Sequence, residues 1–201
     1  MPVPIQAGLF QAAQGRAVPA RVGVARVRSA GGGGRMSARR RFPARTLHLV
    51  DIENLAGAAV PTLTQVMDVQ DRYARRMALG VDDQVIMASN HLALVNAAVG
   101  WPHARYRVRS GPNGADLELL DVIEYENVAT RFTHVVIGSG DGMFGRAAEG
   151  LGAGGVRVTV VSLRRSLSAA LARAARHVVY LDAPLGTTGT GVAAVATAAR
   201  A

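Results

Sequence analysis

Between residues 46 and 181, short apolar runs of strand length alternate with segments of helical periodicity. Such alternation forms βαβ units, whose right-handed crossovers place successive strands parallel in one sheet. The pattern therefore predicts an α/β fold, a Rossmann-like three-layer sandwich with a mostly parallel sheet and helices on both faces. Strands are predicted at 46–50, 84–88, 105–109, 133–137, 156–161 and 177–181, and helices at 62–79, 91–99, 115–129, 142–151 and 166–176.

The composition excludes several kinds of chemistry. The chain has 201 residues without a cysteine, and its 23 basic residues are all arginine. Disulfides, thiolate zinc sites, cysteine nucleophiles and catalytic or phosphate-binding lysines are therefore excluded. No apolar run approaches the roughly 18–20 residues that a membrane span needs. We therefore expect a soluble, cytoplasmic protein without a membrane partner.

The net charge of +9 is concentrated at the amino terminus. Residues 1–50 contain nine arginines and no acid, whereas residues 51–201 contain 14 arginines and 14 acids. Residues 1–44 lack strand or helix periodicity, which predicts a disordered basic leader. A transit peptide is one alternative. Translation from Met36, just before the first predicted strand, is another. The predicted domain spans 45–182, followed by a tail at 183–201 in which a short helix is the alternative.

Three acidic residues are predicted to meet at one end of the sheet. Asp51 directly follows the first strand, Asp141 follows the fourth, and Asp116 begins the helix after the third. Ligands of parallel sheets bind beyond the carboxyl ends of the strands. Each acid by itself could equally be a turn former or a helix N-cap. Together they would repel unless a proton or cation lies between them, and carboxylates favour Mg²⁺ or Mn²⁺.

Other polar residues near this end could support such a site. Asn54 could orient the first carboxylate or bind a phosphate oxygen. Ser139 belongs to a glycine-rich turn at a helix N-terminus, where backbone N–H groups bind anions, although turn geometry explains it equally well. Arg107 lies between Arg105 and Arg109 on one face of a strand, where the three could follow a phosphate backbone. A solvated sheet edge is the alternative for these arginines.

Three segments resemble motifs of the NYN family, which is part of the PIN-like nuclease superfamily. The resemblance extends over about residues 46–182 and implies a Rossmann-like PIN fold, RNA as the partner and metal-dependent RNA cleavage. It also implies that Asp51, Asp116 and Asp141 are catalytic metal ligands, with Asn54 and Ser139 in support. The three segments are Leu49–Leu55, Gly114–Asp121 and Val135–Phe144.

The third segment departs from the family pattern, because Met143 stands where a second acid is usual. Asp121, Glu53 or Glu118 could supply a fourth carboxylate instead. The resulting prediction is a metal-dependent endoribonuclease. A catalytically weak or inactive RNA-binding NYN domain is the first alternative, and a Rossmann-like phosphohydrolase with Asp51 as covalent nucleophile is the second. The oligomeric state stays open, with a homodimer as one option.

Overall fold

The structure, a computed structural model, describes residues 45–184. The leader predicted at residues 1–44 lies outside the described residues. So does the predicted tail beyond its first two residues. No helix within residues 45–184 has the length and apolar character needed to cross a membrane.

Six strands form one sheet in the order β3-β2-β1-β4-β5-β6, and every neighbouring pair is parallel. The predicted α/β fold is therefore confirmed, and the sheet is parallel throughout the described range. The order reverses between β1 and β4, which places a crevice beyond their carboxyl ends. The strands are β1 Thr46–Asp51, β2 Gln84–Ser89, β3 Arg105–Val108, β4 His134–Gly138, β5 Arg157–Ser162 and β6 His177–Tyr180.

Within residues 45–184, seven helices accompany these strands; one of them was not predicted, and one predicted helix is divided in two. Helix α1 was not predicted, because five residues are too few to show helical periodicity. The single helix expected at 115–129 is divided at Asn127, whose φ of 52° is left-handed and interrupts a right-handed helix. The helices are α1 Ile52–Ala56, α2 Leu63–Arg76, α3 Leu94–Gly100, α4 Gly114–Tyr125, α5 Val128–Arg131, α6 Phe144–Ala153 and α7 Ala169–Ala174.

Two apolar clusters pack on opposite faces of the sheet. Leu49 packs with Leu119 of α4 and Phe144 of α6, whereas the next residue, Val50, packs with Tyr73 of α2. Successive side chains of a strand point to opposite faces. The sheet is consequently covered on both sides, which confirms the three-layer arrangement and leaves the strand ends as the place for polar side chains.

Candidate metal centre

Asp51 is held at the carboxyl end of the central strand β1, where α1 begins. Its Oδ1 accepts hydrogen bonds from the backbone N–H groups of Glu53 and Asn54, each at 3.1 Å. Asp51 is thus the N-cap of α1, and the cap fixes the orientation of a carboxylate that is only 4% exposed. The helix-cap interpretation therefore applies to this residue, and the site interpretation stays a prediction.

Asp116 lies in the first turn of α4, beside Asp51. Gly114, the first residue of α4, packs so tightly on β3 that a β-carbon there would overlap the carbonyl oxygen of Arg109. This close approach places the start of α4 against the sheet end. The carboxyl groups of Asp116 and Asp51 lie within hydrogen-bonding reach of one another. The buried Oδ1 of Asp116 has no hydrogen-bond partner among the described residues.

Burial controls the protonation of this pair. Burial raises the pKa of Asp51 to about 8; the hydrogen bond from Asn54 N–H opposes this rise, and the nearby Asp116 and Glu53 carboxyls add to it. Burial also raises the pKa of Asp116, and the charge of Asp141 adds to that rise. Two adjacent buried carboxyls do not both ionise unless a positive charge compensates them. The pair therefore retains a proton near neutral pH when no cation is bound.

Asp141 lies in the turn after β4, and its charge acts on Asp116. Its Oδ1 accepts the Met143 N–H at 2.8 Å, and its own N–H donates to the buried Ser139 Oγ at 3.2 Å. Asn54 Oδ1 accepts the Gly140 N–H at 2.9 Å, which joins α1 to this turn. Asn54 and Ser139 thus stabilise the backbone of the turn that carries Asp141.

Gly140 is needed for the packing of this turn. A β-carbon at residue 140 would overlap the backbone of Ser166, in the connection after β5. We expect Gly140→Ala to lower the free energy of unfolding by about 1–3 kcal/mol, the usual cost of overpacking, as measured by urea denaturation. Gly152→Ala in α6 is the matched control, since its β-carbon would meet no atom within 4 Å. Equal stability of the two variants would contradict this account of the turn.

An open cleft of about 580 Å³ lies over the Asp51–Asp116 pair. Its lining includes Glu53, whose Oε1 accepts the Asn90 N–H. It also includes Arg109, whereas the predicted substrate-binding arginine was its neighbour Arg107. Arg109 directly follows β3, so it lies at the same end of the sheet as Asp51, the last residue of β1. This position was the sequence feature that could have indicated its place in the cleft.

Five candidate residues lie outside the lining of this cleft, namely Asp141, Ser139, Arg107, Glu118 and Asp121. Arg107 Nε donates to Glu118 Oε2 at 3.0 Å, so both side chains are engaged in an ion pair between β3 and α4. Asp121 lies further along α4, with its Oδ2 3.8 Å from Arg109 Nη1. The structure therefore brings Asp51 and Asp116 together with Glu53 at the rim of the cleft, whereas Asp141 and Ser139 lie outside its lining and Arg107, Glu118 and Asp121 have ion-pair partners.

The donor set fits a hard divalent cation. Asp51 and Asp116 are buried carboxyls that form no ion pair with any described residue, and one oxygen of Asp116 is unpartnered. Carboxylate oxygens are the ligands that Mg²⁺ and Mn²⁺ prefer. No three histidine, aspartate or glutamate side chains within residues 45–184 form a complete ligand set as they stand. The structure provides two neighbouring buried carboxyl groups, Asp51 and Asp116, and a third carboxylate, Asp141, whose charge acts on Asp116.

A parallel sheet of this strand order, with acidic residues at the β1–β4 crevice, defines a Rossmann-like α/β protein with an acidic cleft. The chain belongs to the NYN domain family, whose model matches residues 45–182. This family is PIN-like, and its domains generally act on RNA with divalent metals.

A crystal structure of a protein of unknown function from Vibrio parahaemolyticus is similar at 18% identity and a TM-score of 0.45, over 69% of this chain and 93% of that one. No curated protein matches the chain.

Proposed function

We propose that this protein is a metal-dependent endoribonuclease that hydrolyses phosphodiester bonds of RNA with Mg²⁺ or Mn²⁺. The observation that supports the proposal best is the buried contact between Asp51 and Asp116 without a compensating positive charge. Two acids placed in this way destabilise the fold, and binding of a cation is the function that would explain them. Membership of a family whose domains generally act on RNA supports the choice of substrate.

Each residue of the group has a role in this proposal. Asp51, Asp116 and Asp141 would hold the cation, which would lower the pKa of a bound water and stabilise charge on the phosphate. The α1 backbone keeps the Asp51 carboxylate in place through its two N–H groups. Asn54 keeps the turn of Asp141 against α1. Glu53, anchored to Asn90, borders the space where the phosphate would enter.

Met143 supports a second candidate function, RNA binding without cleavage. Its side chain lines a separate groove of about 460 Å³ between α4 and α6, together with Leu120 and Ile123. The position that usually supplies a further acid in the family therefore borders an apolar groove. A cleft with fewer carboxylates would bind a cation more weakly, and RNA could be held there without being cut.

Cleavage of labelled RNA by the full chain separates the two functions. We expect internal cuts in a single-stranded RNA with Mn²⁺ or Mg²⁺ and none in EDTA, because the ionised Asp51–Asp116 pair needs a cation. Electrophoresis of the products and of a parallel binding reaction gives both readouts. Metal-independent RNA binding without cleavage in either metal would establish the second function, and cleavage in EDTA would exclude the proposed metal role.

A further inference from the structure

Large apolar side chains are exposed mainly on α2, on α3 and in the segments that precede these two helices. Within residues 45–184, nine such side chains are exposed, and six of them lie in these regions. Val95 and Val99 lie one turn apart on α3 and are 69% and 62% exposed. Single exposed apolar residues are normal, whereas a group of them indicates a contact site. The six, which we call the α2–α3 patch, are Val60, Leu63, Met67, Leu92, Val95 and Val99.

Contacts between α3 and the beginning of α2 join these side chains into one surface. The amide Nδ2 of Asn96 on α3 donates to the carbonyl oxygen of Pro61 at 3.0 Å. A β-carbon on Gly100, at the end of α3, would lie only 3.3 Å from Cδ1 of Leu63, so the two helices pack directly on one another. The exposed sides of the two regions therefore lie next to each other.

The α2–α3 patch is free of charge. Residues 55–67 and 90–104 contain no acidic residue and no arginine, although 18% of the chain is charged and about five charged residues would be expected in segments of this combined length. The amides of Asn90 and Asn96 already donate to the carbonyl oxygens of Ala59 and Pro61. A partner of different chemistry is normally selected through complementary charges and hydrogen bonds, and this surface offers few of either.

The size of the patch suits a modest dimer interface. Its six side chains together expose about as much surface as three to four completely exposed ones. At about 100 Å² of apolar surface for each completely exposed side chain, the patch offers roughly 350 Å². Two copies would thus bury about 700 Å² of apolar surface, or roughly 1,000 Å² in total for an interface that is about 65% apolar. This area reaches the lower limit of specific protein interfaces, about 1,000 Å².

We propose that the α2–α3 patch of one chain packs against the same patch of a second chain and forms a two-fold symmetric dimer. A second copy presents an equally uncharged apolar surface, so no charge loses its water when the two meet. A two-fold axis also covers both patches at once and closes the assembly at two chains. This inference is independent of the proposed function.

Sedimentation equilibrium of the full chain tests the dimer. We expect a dissociation constant in the micromolar range, because the area is at the lower limit, and about 1–100 µM protein covers that range. The runs contain about 0.5 M sodium chloride, which screens association through the arginine-rich residues 1–44 or through bound nucleic acid but does not weaken apolar contact. A wild-type chain that stays monomeric at about 100 µM would overturn the proposal, since self-pairing is its only content.

Charged substitutions on α3 locate the interface. Val95→Glu and Val99→Glu should each raise the dissociation constant at least about 100-fold, because like charges would face each other across the two-fold axis. Both positions lie outside the lining of the carboxylate cleft. Both side chains are exposed, and glutamate is a better helix former than valine, so the variants should fold. Circular dichroism checks this expectation.

Val81→Glu is the matched control, because Val81 is a fully exposed valine in the turn before β2, outside the patch. It should leave the dissociation constant unchanged. A dimer that Val95→Glu and Val99→Glu weaken no more than this control does would place the interface elsewhere and overturn the proposal.

A mixture of two variants tests whether the patch pairs with itself. Val95→Glu and Val95→Arg should each be mainly monomeric, whereas their equal mixture should associate at least about tenfold more tightly than either alone, since opposite charges then meet. If the mixture associates no better than the separate variants, the patch does not face its own copy.

Discussion

Replacing Asp51 by asparagine is expected to lower metal-dependent RNA cleavage at least about 100-fold, since even residues behind metal ligands often contribute 10–100-fold. Asparagine is as good a helix N-cap as aspartate, so the start of α1 should remain in place. What is removed is the negative charge that faces Asp116. Asp116→Asn should have a similar effect, because the two carboxyls act on one cation.

Asp68→Asn provides the matched control for these two variants. Asp68 is an exposed aspartate on α2 that pairs with Arg72, away from the carboxylate cleft. The three variants are compared by their initial cleavage rates with Mn²⁺ at saturating and subsaturating RNA. Circular dichroism confirms that each variant is folded. Asp51→Asn activity within a few-fold of the Asp68→Asn control would remove Asp51 from the proposed site.

The same Asp51→Asn substitution is expected to stabilise the metal-free protein at alkaline pH. The pKa of Asp51 is about 8 in the folded chain, raised by burial, and about 3.9 in an unfolded chain. Between these values the unfolded chain ionises and the folded chain retains the proton, so wild-type stability falls as the pH rises from about 4 to about 8. Asparagine does not titrate, and the advantage of the variant should therefore grow over this range.

Thermal unfolding in EDTA at pH 4.5 and 8.5 measures this difference. We expect the gain at pH 8.5 to exceed that at pH 4.5 by at least about 2 kcal/mol, or roughly 5 °C or more for a domain of this size. Mn²⁺ at pH 8.5 should stabilise the wild type and have less effect on the variant, since a cation that binds the folded state raises its stability by mass action. A gain that does not change with pH would show that Asp51 is not a buried acid of raised pKa.

The sequence allowed the sheet and the placement of Asp51 and Asp141 to be predicted, because strand periodicity and the residue that follows a strand are local properties. Both acids lie at the carboxyl ends of strands that pair with each other in the structure. The short helix α1 and the interruption at Asn127 were not predictable in the same way. Helix α1 has only five residues, too few for helical periodicity to show, and the interruption depends on a single left-handed residue.

Only the tertiary structure decided which side chains face one another. Arg107 and Arg109 share one face of the predicted strand, yet Arg107 lies within β3 and pairs with Glu118 of α4, whereas Arg109 follows β3 and lines the cleft. The sequence by itself determined only that Asp51 and Asp116 belong to the same end of the sheet. Their contact depends on the close packing of Gly114 against Arg109, and their raised pKa values depend on burial beneath the surrounding loops. Both are effects of three-dimensional packing that no local pattern encodes.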